Sequence, residues 1–145
     1  MGLDQLPSNL LRSPARILTG PDRDDFIKLG GYIHPLFASQ ETSIASRPFP
    51  GSALLHILGG LVEQTPEIPE NLIALLSFGH VEFTAKAFAG DQVSALIEIY
   101  PPTPTSSGRN QVIPMNWKLI SVPDESIIYV TAQVRMLANG ATNEK

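Results

Sequence analysis

The sequence predicts an α+β fold in which a curved antiparallel sheet wraps one long central helix. Three observations predict it. Residues 47–64 (RPFPGSALLHILGGLVEQ) open on a Pro/Gly turn and run into the most continuous apolar helix pattern of the chain. Beyond Pro66 and Pro69 the hydrophobic period changes to two. The strand-like segments that follow are long and are joined by short turns, so they are expected to run as a meander with the helix along its concave face.

The helix comes first because it needs a wrapper. Leu54, Leu55, Ile57, Leu58, Leu61 and Val62 cover most of its circumference. A helix that is apolar nearly all round is buried on nearly all sides. It is about 13 residues long, too short for a bilayer, which takes roughly 20. Ser52, His56, Gly59 or Gly60, and Glu63 recur at helical spacing and form one narrow polar or small stripe.

In chain order, residues 1–14 hold Pro7 and Pro14 and are expected to be a flexible arm. Ala15–Leu18 predicts a short strand, which Gly20-Pro21 breaks. Asp22, three residues before Asp25, predicts a helix start, with the helix over residues 23–29 and Gly30-Gly31 ending it. Pro35 biases His34 to an extended backbone. Residues 38–46 read as a mild helix or irregular stretch. Leu72–Ala87 reads as a strand with a bulge or bend at Gly79. Ala89-Gly90-Asp91 is a turn. Gln92–Tyr100 alternates, and residues 101–109 (PPTPTSSGR) form a hairpin loop. Gln111–Ser121 is a strand whose Pro114 predicts an edge or a bulge. Ile127–Met136 is the last strand. The domain is expected over residues 15–137, with a polar tail at 138–145.

The chain of 145 residues is 43% hydrophobic and 17% charged, which suits one globular domain. Its net charge is −4 and no basic stripe occurs, so a nucleic-acid partner is not expected. The absence of cysteine removes disulfides, thiolate metal sites and a thiol nucleophile. His34, His56 and His80 lack metal-ligand spacing. The glycine pairs are not phosphate loops, and no G-x-S-x-G elbow occurs. Asp4 and the short Leu10-Leu11 run argue against a signal peptide, so a cytoplasmic protein with no membrane partner is expected.

Three segments carry a resemblance. Asp24-Asp25-Phe26 through Leu36 looks like a short helix followed by a G-D-x-N-P-[LI]-H segment. Arg47-Pro48-Phe49-Pro50-Gly51 stands where P-I-V-H-G would precede a core helix. Phe83 through Gly90-Asp91 looks like F-x-x-P-V-x-x-G-D. In this order and spacing, residues 15–137 resemble the hot-dog fold and, within it, the MaoC-like branch of R-specific enoyl-thioester hydratases and dehydratases. The resemblance implies an acyl thioester substrate carried on CoA or on the phosphopantetheine of an acyl-carrier protein, with no other cofactor. It implies a homodimer with helices side by side and sheets joined; a heteromer with a homologous subunit is the alternative.

The departures fall on the chemistry. Aligned on Pro35-Leu36, the family's catalytic Asp falls on Tyr32, its Asn on His34 and its catalytic His on Phe37. The His of the H-G pair falls on Pro50, while Gly51 is kept. The Asp/His dyad that activates water is therefore missing, and fold alone does not supply it.

The residues present offer another set. Tyr32 and His34 lie two apart in an extended segment and are expected to point the same way. His34 would then be the acid/base by its intrinsic range, with Tyr32 as polar partner; otherwise both are packing and loop residues. The N–H groups of Gly51 and Ser52 would hold a thioester oxygen; otherwise Ser52 caps the helix. Phe37 and Phe49 are expected to line an apolar pocket. His56 is either a substrate-facing group or a partly buried His held by a strand carbonyl. His80 and Glu82 are expected on a solvated strand face. The leading expectation is a hydratase or dehydratase with a rewired site. The alternatives are a non-catalytic subunit of an active homologue and a thioesterase, whose acid would have to be Glu63 or Glu41.

Overall fold

The computed structural model of this protein describes residues 6–38 and 47–140. Helix α3 (Gly51–Glu63) starts after Pro50, which occupies the N-cap with no side-chain hydrogen bond to the helix, and ends at Gln64. It buries Ala53, Leu54, Ile57, Leu58, Leu61 and Val62. Ser52 is therefore not the cap that the alternative reading made it. It stands one position inside the helix.

A seven-stranded sheet surrounds α3. Its strands are β1 (Asn9–Arg12), β2 (Arg16–Ile17), β3 (Leu72–Phe83), β4 (Gln92–Ile99), β5 (Thr103–Pro104), β6 (Asn110–Ser121) and β7 (Ile128–Asn139). The order is β1-β4-β6-β7-β3, with β2 also on β4 and β5 on β6. All pairs are antiparallel. Alternate residues Val93, Ala95 and Ile97, Met115, Trp117 and Leu119, and Val130, Ala132 and Val134 join the α3 side chains in one core. That is the period-two pattern of strands with one face on a helix. Two short helices, α1 (Gly20–Gly30) and α2 (Pro35–Ala38), precede α3.

Several expectations are corrected. The strands do not form a simple meander, because β3 lies beside β7, at the far edge from β4's partner β1. After β3 the chain crosses to β4 over residues 84–91. There Thr84 N–H donates to the Tyr129 carbonyl, and the Ala87 carbonyl accepts from Phe49 N–H. β3 therefore ends at Phe83 rather than at Ala87. The expected arm contains β1, which pairs with β4 and buries Leu11. The last strand reaches Asn139, past the expected tail boundary. Helix α1 starts earlier than Arg23: Thr19 caps it, Thr19 and Asp22 form a reciprocal capping box, and Pro21 sits in the first turn where its missing N–H costs nothing. Strand β6 is interior in spite of Pro114. The Pro114 carbonyl accepts from Tyr100 N–H at the point where β4 has ended. The missing Pro114 donor thus faces a break in the neighbouring strand. The bend expected at Gly79 is present as a register shift between Phe78 and Val81. Gly31 ends α1 in the left-handed region (φ 72°), as expected. The stretch read as a mild helix falls, from residue 39 to 46, outside the described residues, and so does Glu41.

The two sheet edges differ. β4 is covered by β1 and β2, whereas β3 has a neighbour on one side only among the described residues. Ile73, Leu75, Leu76, Phe78 and Phe83 of β3 are all exposed. None of the described helices is long and apolar enough to cross a membrane.

Candidate functional site

The site is organised by the first turn of α3. The first N–H groups of a helix lack intrahelical partners, and Pro50 at the N-cap has no side-chain acceptor to satisfy them. The N–H of Ala53 bonds the Pro50 carbonyl at 3.0 Å. The N–H groups of Gly51 and Ser52 find no acceptor among the described residues. They carry the positive end of the helix dipole.

Side chains from three other elements close on this turn. The Tyr32 hydroxyl shares a hydrogen bond of 2.6 Å with Ser52 Oγ. The Tyr32 ring stands edge-on to Phe37 at 5.5 Å between centroids and packs beside Phe26 at 6.2 Å. Phe26 also packs on His56 at 5.9 Å. From β3, Phe83 lies on Gly51: a Cβ added at Gly51 would come within 2.9 Å of the Phe83 ring. That contact is the reason for glycine here, since Gly51 has an ordinary helical backbone. The loop is anchored from below by Arg23, whose Nη1 donates to the Phe37 carbonyl at 2.9 Å.

Below the first turn the polar stripe of α3 runs along an open groove of about 1170 Å³. Ser52, His56, Gly59, Gly60 and Glu63 line one side, and Leu72, Leu75 and Phe78 of β3 line the other. Trp117 forms part of the floor and meets Phe78 edge-on at 6.0 Å. The stripe read from helical spacing is thus one wall of this groove.

The sequence-predicted residues divide. Tyr32, Gly51 and Ser52 come together, and Phe37 joins them through Tyr32. His34 does not. It is exposed, and its Nδ1 accepts the Leu36 N–H at 3.0 Å while its carbonyl accepts the Phe37 N–H. The imidazole folds back to cap the single turn of α2, so the shared direction expected of Tyr32 and His34 is not realised. Among the described residues only Nε2 of that ring is left without a partner. Phe49 is 4% exposed and belongs to the core, not to a pocket wall. His56 is exposed on the groove and, among the described residues, has no hydrogen bond to a strand carbonyl, which corrects that alternative. His80 and Glu82 pair at 3.0 Å on an exposed face of β3, away from the site. Glu63 lies toward the far end of the groove. Among the described residues no three or more His, Asp or Glu side chains cluster as metal ligands would.

Three contributors were missed: Arg23, Phe26 and Phe83. Phe26 and Phe83 stood out only as apolar residues of a helix and a strand. Nothing in the sequence distinguishes Arg23, an apparently ordinary helix-surface cation, from its neighbours.

Solved structures share the fold along most of the chain. A monoamine oxidase regulatory protein from Archaeoglobus fulgidus matches with a TM-score of 0.78 at 19% identity, over 94% of this chain and 92% of that one. A MaoC-like dehydratase from Rhodospirillum rubrum matches with a TM-score of 0.74 at 10% identity, over 95% of each. The HadBC (3R)-hydroxyacyl-ACP dehydratase complex from Mycobacterium tuberculosis matches with a TM-score of 0.70 at 14% identity, over 92% of this chain and 98% of that one. No protein-family model and no curated protein sequence matches the chain. At these identities the likeness establishes the fold: a hot-dog domain, the architecture of MaoC-like dehydratases, as the sequence resemblance implied.

Proposed function

We propose that this chain is a hydratase or dehydratase of the hot-dog type that binds an acyl thioester and handles a proton on it with a rewired site. One observation carries the reading: two N–H groups, of Gly51 and Ser52, with no acceptor among the described residues, beside a hydroxyl pair, Tyr32 and Ser52, at 2.6 Å. The thioester oxygen would take the N–H groups. Negative charge that develops on it as the α-carbon loses a proton would be met by the helix dipole. The Tyr32–Ser52 pair would hold or pass the proton exchanged with the substrate's α-carbon or hydroxyl. The acyl chain would follow the α3 stripe into the groove. His34, with Nδ1 engaged in its own turn, is reassigned from acid/base to a turn residue.

The groove is open on the β3 side, where apolar side chains and an unpaired strand edge are exposed. Such an edge invites pairing with another chain. A second copy that joins its β3 edge here would convert the groove into an enclosed tunnel, and a homologous subunit would do the same.

Purified protein should hydrate members of a panel of 2-enoyl-CoA thioesters. Tyr32→Phe and Ser52→Ala should each lower kcat by about a hundredfold or more, and His34→Ala should leave it close to unchanged. A collapse of activity in His34→Ala with normal rates in Tyr32→Phe would overturn the assignment. A second reading, that of a non-catalytic subunit, is favoured by Phe37 standing beside Tyr32 where the resemblance places a His. It predicts no turnover alone and activity on co-expression with a homologous chain. Release of free thiol from a saturated acyl-CoA would instead indicate a thioesterase.

A further inference from the structure

We propose that the pocket between α1 and the Tyr32–Phe37 turn is an anion site that takes the phosphate of the thioester's carrier. The inference rests on the thioester reading above and specifies the part of the substrate that the groove does not reach. The pocket measures about 340 Å³ and is lined by Arg23, Asp24, Lys28, Tyr32, Phe37 and Arg47, among others. Three cationic side chains and one carboxylate therefore line it, in a chain whose net charge is −4.

Arg23 is the unusual member. It is 1% exposed. Its Nη2 donates to Asp24 at 2.7 Å and its Nη1 to the Phe37 carbonyl at 2.9 Å. Its Nε has no partner, and it is the one buried side-chain nitrogen or oxygen among the described residues in that state. A buried cation is normally matched by a full counter-charge and by acceptors for its donors. Here the counter-charge is a carboxylate that is itself 49% exposed, and one donor is left over. An under-compensated charge at the floor of a pocket projects its field into that pocket, where the dielectric is lower than in bulk water.

The rim adds to that field. Lys28 is exposed and makes no ion pair among the described residues. Arg47 also lines the opening and has interactions of its own. The negative end of the α1 dipole lies nearby, but the carbonyls of Ile27 and Lys28 already accept the N–H groups of Tyr32 and Gly31. Arg23 and Lys28 therefore still outnumber Asp24 in the lining.

Tyr32 and Phe37 tie the pocket to the site. Tyr32 lines the pocket with its ring and reaches Ser52 with its hydroxyl. A thioester held at the first turn of α3 thus sits on the other side of one aromatic residue from a cluster of cations. CoA and acyl-carrier phosphopantetheine share the group that would fill it, a phosphate at the end of the pantetheine arm.

The test compares three carriers of one acyl group, on the full chain, by calorimetry at low salt. Acyl-CoA and acyl-phosphopantetheine should bind about tenfold or more tightly than acyl-pantetheine, which lacks phosphate. Lys28→Glu, an exposed change outside the thioester site, should erase that difference and leave the acyl-pantetheine affinity unchanged. Equal affinity for all three carriers, or a Lys28→Glu protein that keeps the preference, would overturn the proposal. A preference for CoA that phosphopantetheine does not reproduce would overturn it as well, since it would place the recognition elsewhere on CoA. Failure of acyl-pantetheine to bind the wild-type chain would count against the thioester reading, and titration with inorganic pyrophosphate would then decide the anion site alone. Pyrophosphate should bind the wild-type chain and not Lys28→Glu; binding to both equally would overturn the site.

Discussion

The two faces of α3 use one helix for opposite purposes. On one face Leu54, Leu58 and Leu61 are almost fully buried against the sheet. On the other, Ser52, His56, Gly60 and Glu63 are half-exposed or exposed and line an open groove. The first face holds the molecule together; its side chains are large, apolar and enclosed. The second contributes little to that core and is made of groups that bind, donate or leave space. Substitutions on the two faces should therefore separate stability from ligand binding.

The largest expected effect is on the core face. Leu58 is fully buried. Leu58→Ala removes buried methylene groups and leaves a cavity, so it should cost about 2–5 kcal/mol, read as a lower denaturant midpoint at unchanged slope. A cost below about 1 kcal/mol would mean that the α3 core is not packed as described. Gly60 on the groove face should respond with the opposite sign. A Cβ at Gly60 meets nothing within 4 Å. Gly60→Ala should stabilise the isolated chain by about 0.5–1 kcal/mol by restricting the unfolded backbone and improving helix propensity. If a second copy closes the groove, the same change should weaken association, measured by sedimentation at several concentrations. Stabilisation without any effect on association would leave that face to ligand alone.

Gly51 sits where the two faces meet at the helix start. Gly51→Ala puts a methyl group into the Phe83 ring. Phe83 is 52% exposed and can swing aside, so the stability cost should stay within about 1 kcal/mol. Thioester affinity should fall further than stability does, because the ring then moves at the edge of the donor pair. The paired variant Gly51→Ala/Phe83→Leu should recover affinity if the clash is the cause.

This division explains what could be read from the chain and what could not. The core face was legible because burial imposes a helical period on Leu54, Leu58 and Leu61, and a period of two on strands such as Val93–Ala95–Ile97. The stripe was legible as the interruption of that period. Pairing order was not: β3 carries the same alternating signal whether it lies beside β4 or beside β7, and only the crossover at residues 84–91 decides. The candidate site was half legible. Gly51 and Ser52 follow from a helix start preceded by proline, which offers no side-chain acceptor for the first N–H groups. The His34 side chain was misread because an extended dipeptide before Pro35 says where the backbone goes, not that the ring will fold back onto Leu36 N–H. Arg23 was invisible because its burial depends on the turn of residues 32–37 closing over it, a long-range fact with no local mark.

The smallest stability effect, and the sharpest separation of the two faces, belongs to Ser52. Ser52→Ala removes one exposed hydroxyl from the second position of a helix, where alanine has the better intrinsic propensity. It also removes the 2.6 Å bond to Tyr32, which is exposed to water that can replace it. These terms oppose each other, so stability should change by no more than about 0.5 kcal/mol. The backbone N–H that would hold the thioester oxygen survives the substitution. Binding of the acyl group should therefore persist in Ser52→Ala while kcat falls, and KM should barely move. Tyr32→Phe should behave alike if the two hydroxyls act as one unit, and the double variant should then be no worse than either single change. Independent losses that add in the double variant would show two separate roles. Unchanged kcat in both would move the proton chemistry off α3 altogether, and leave its groove face a surface that only binds.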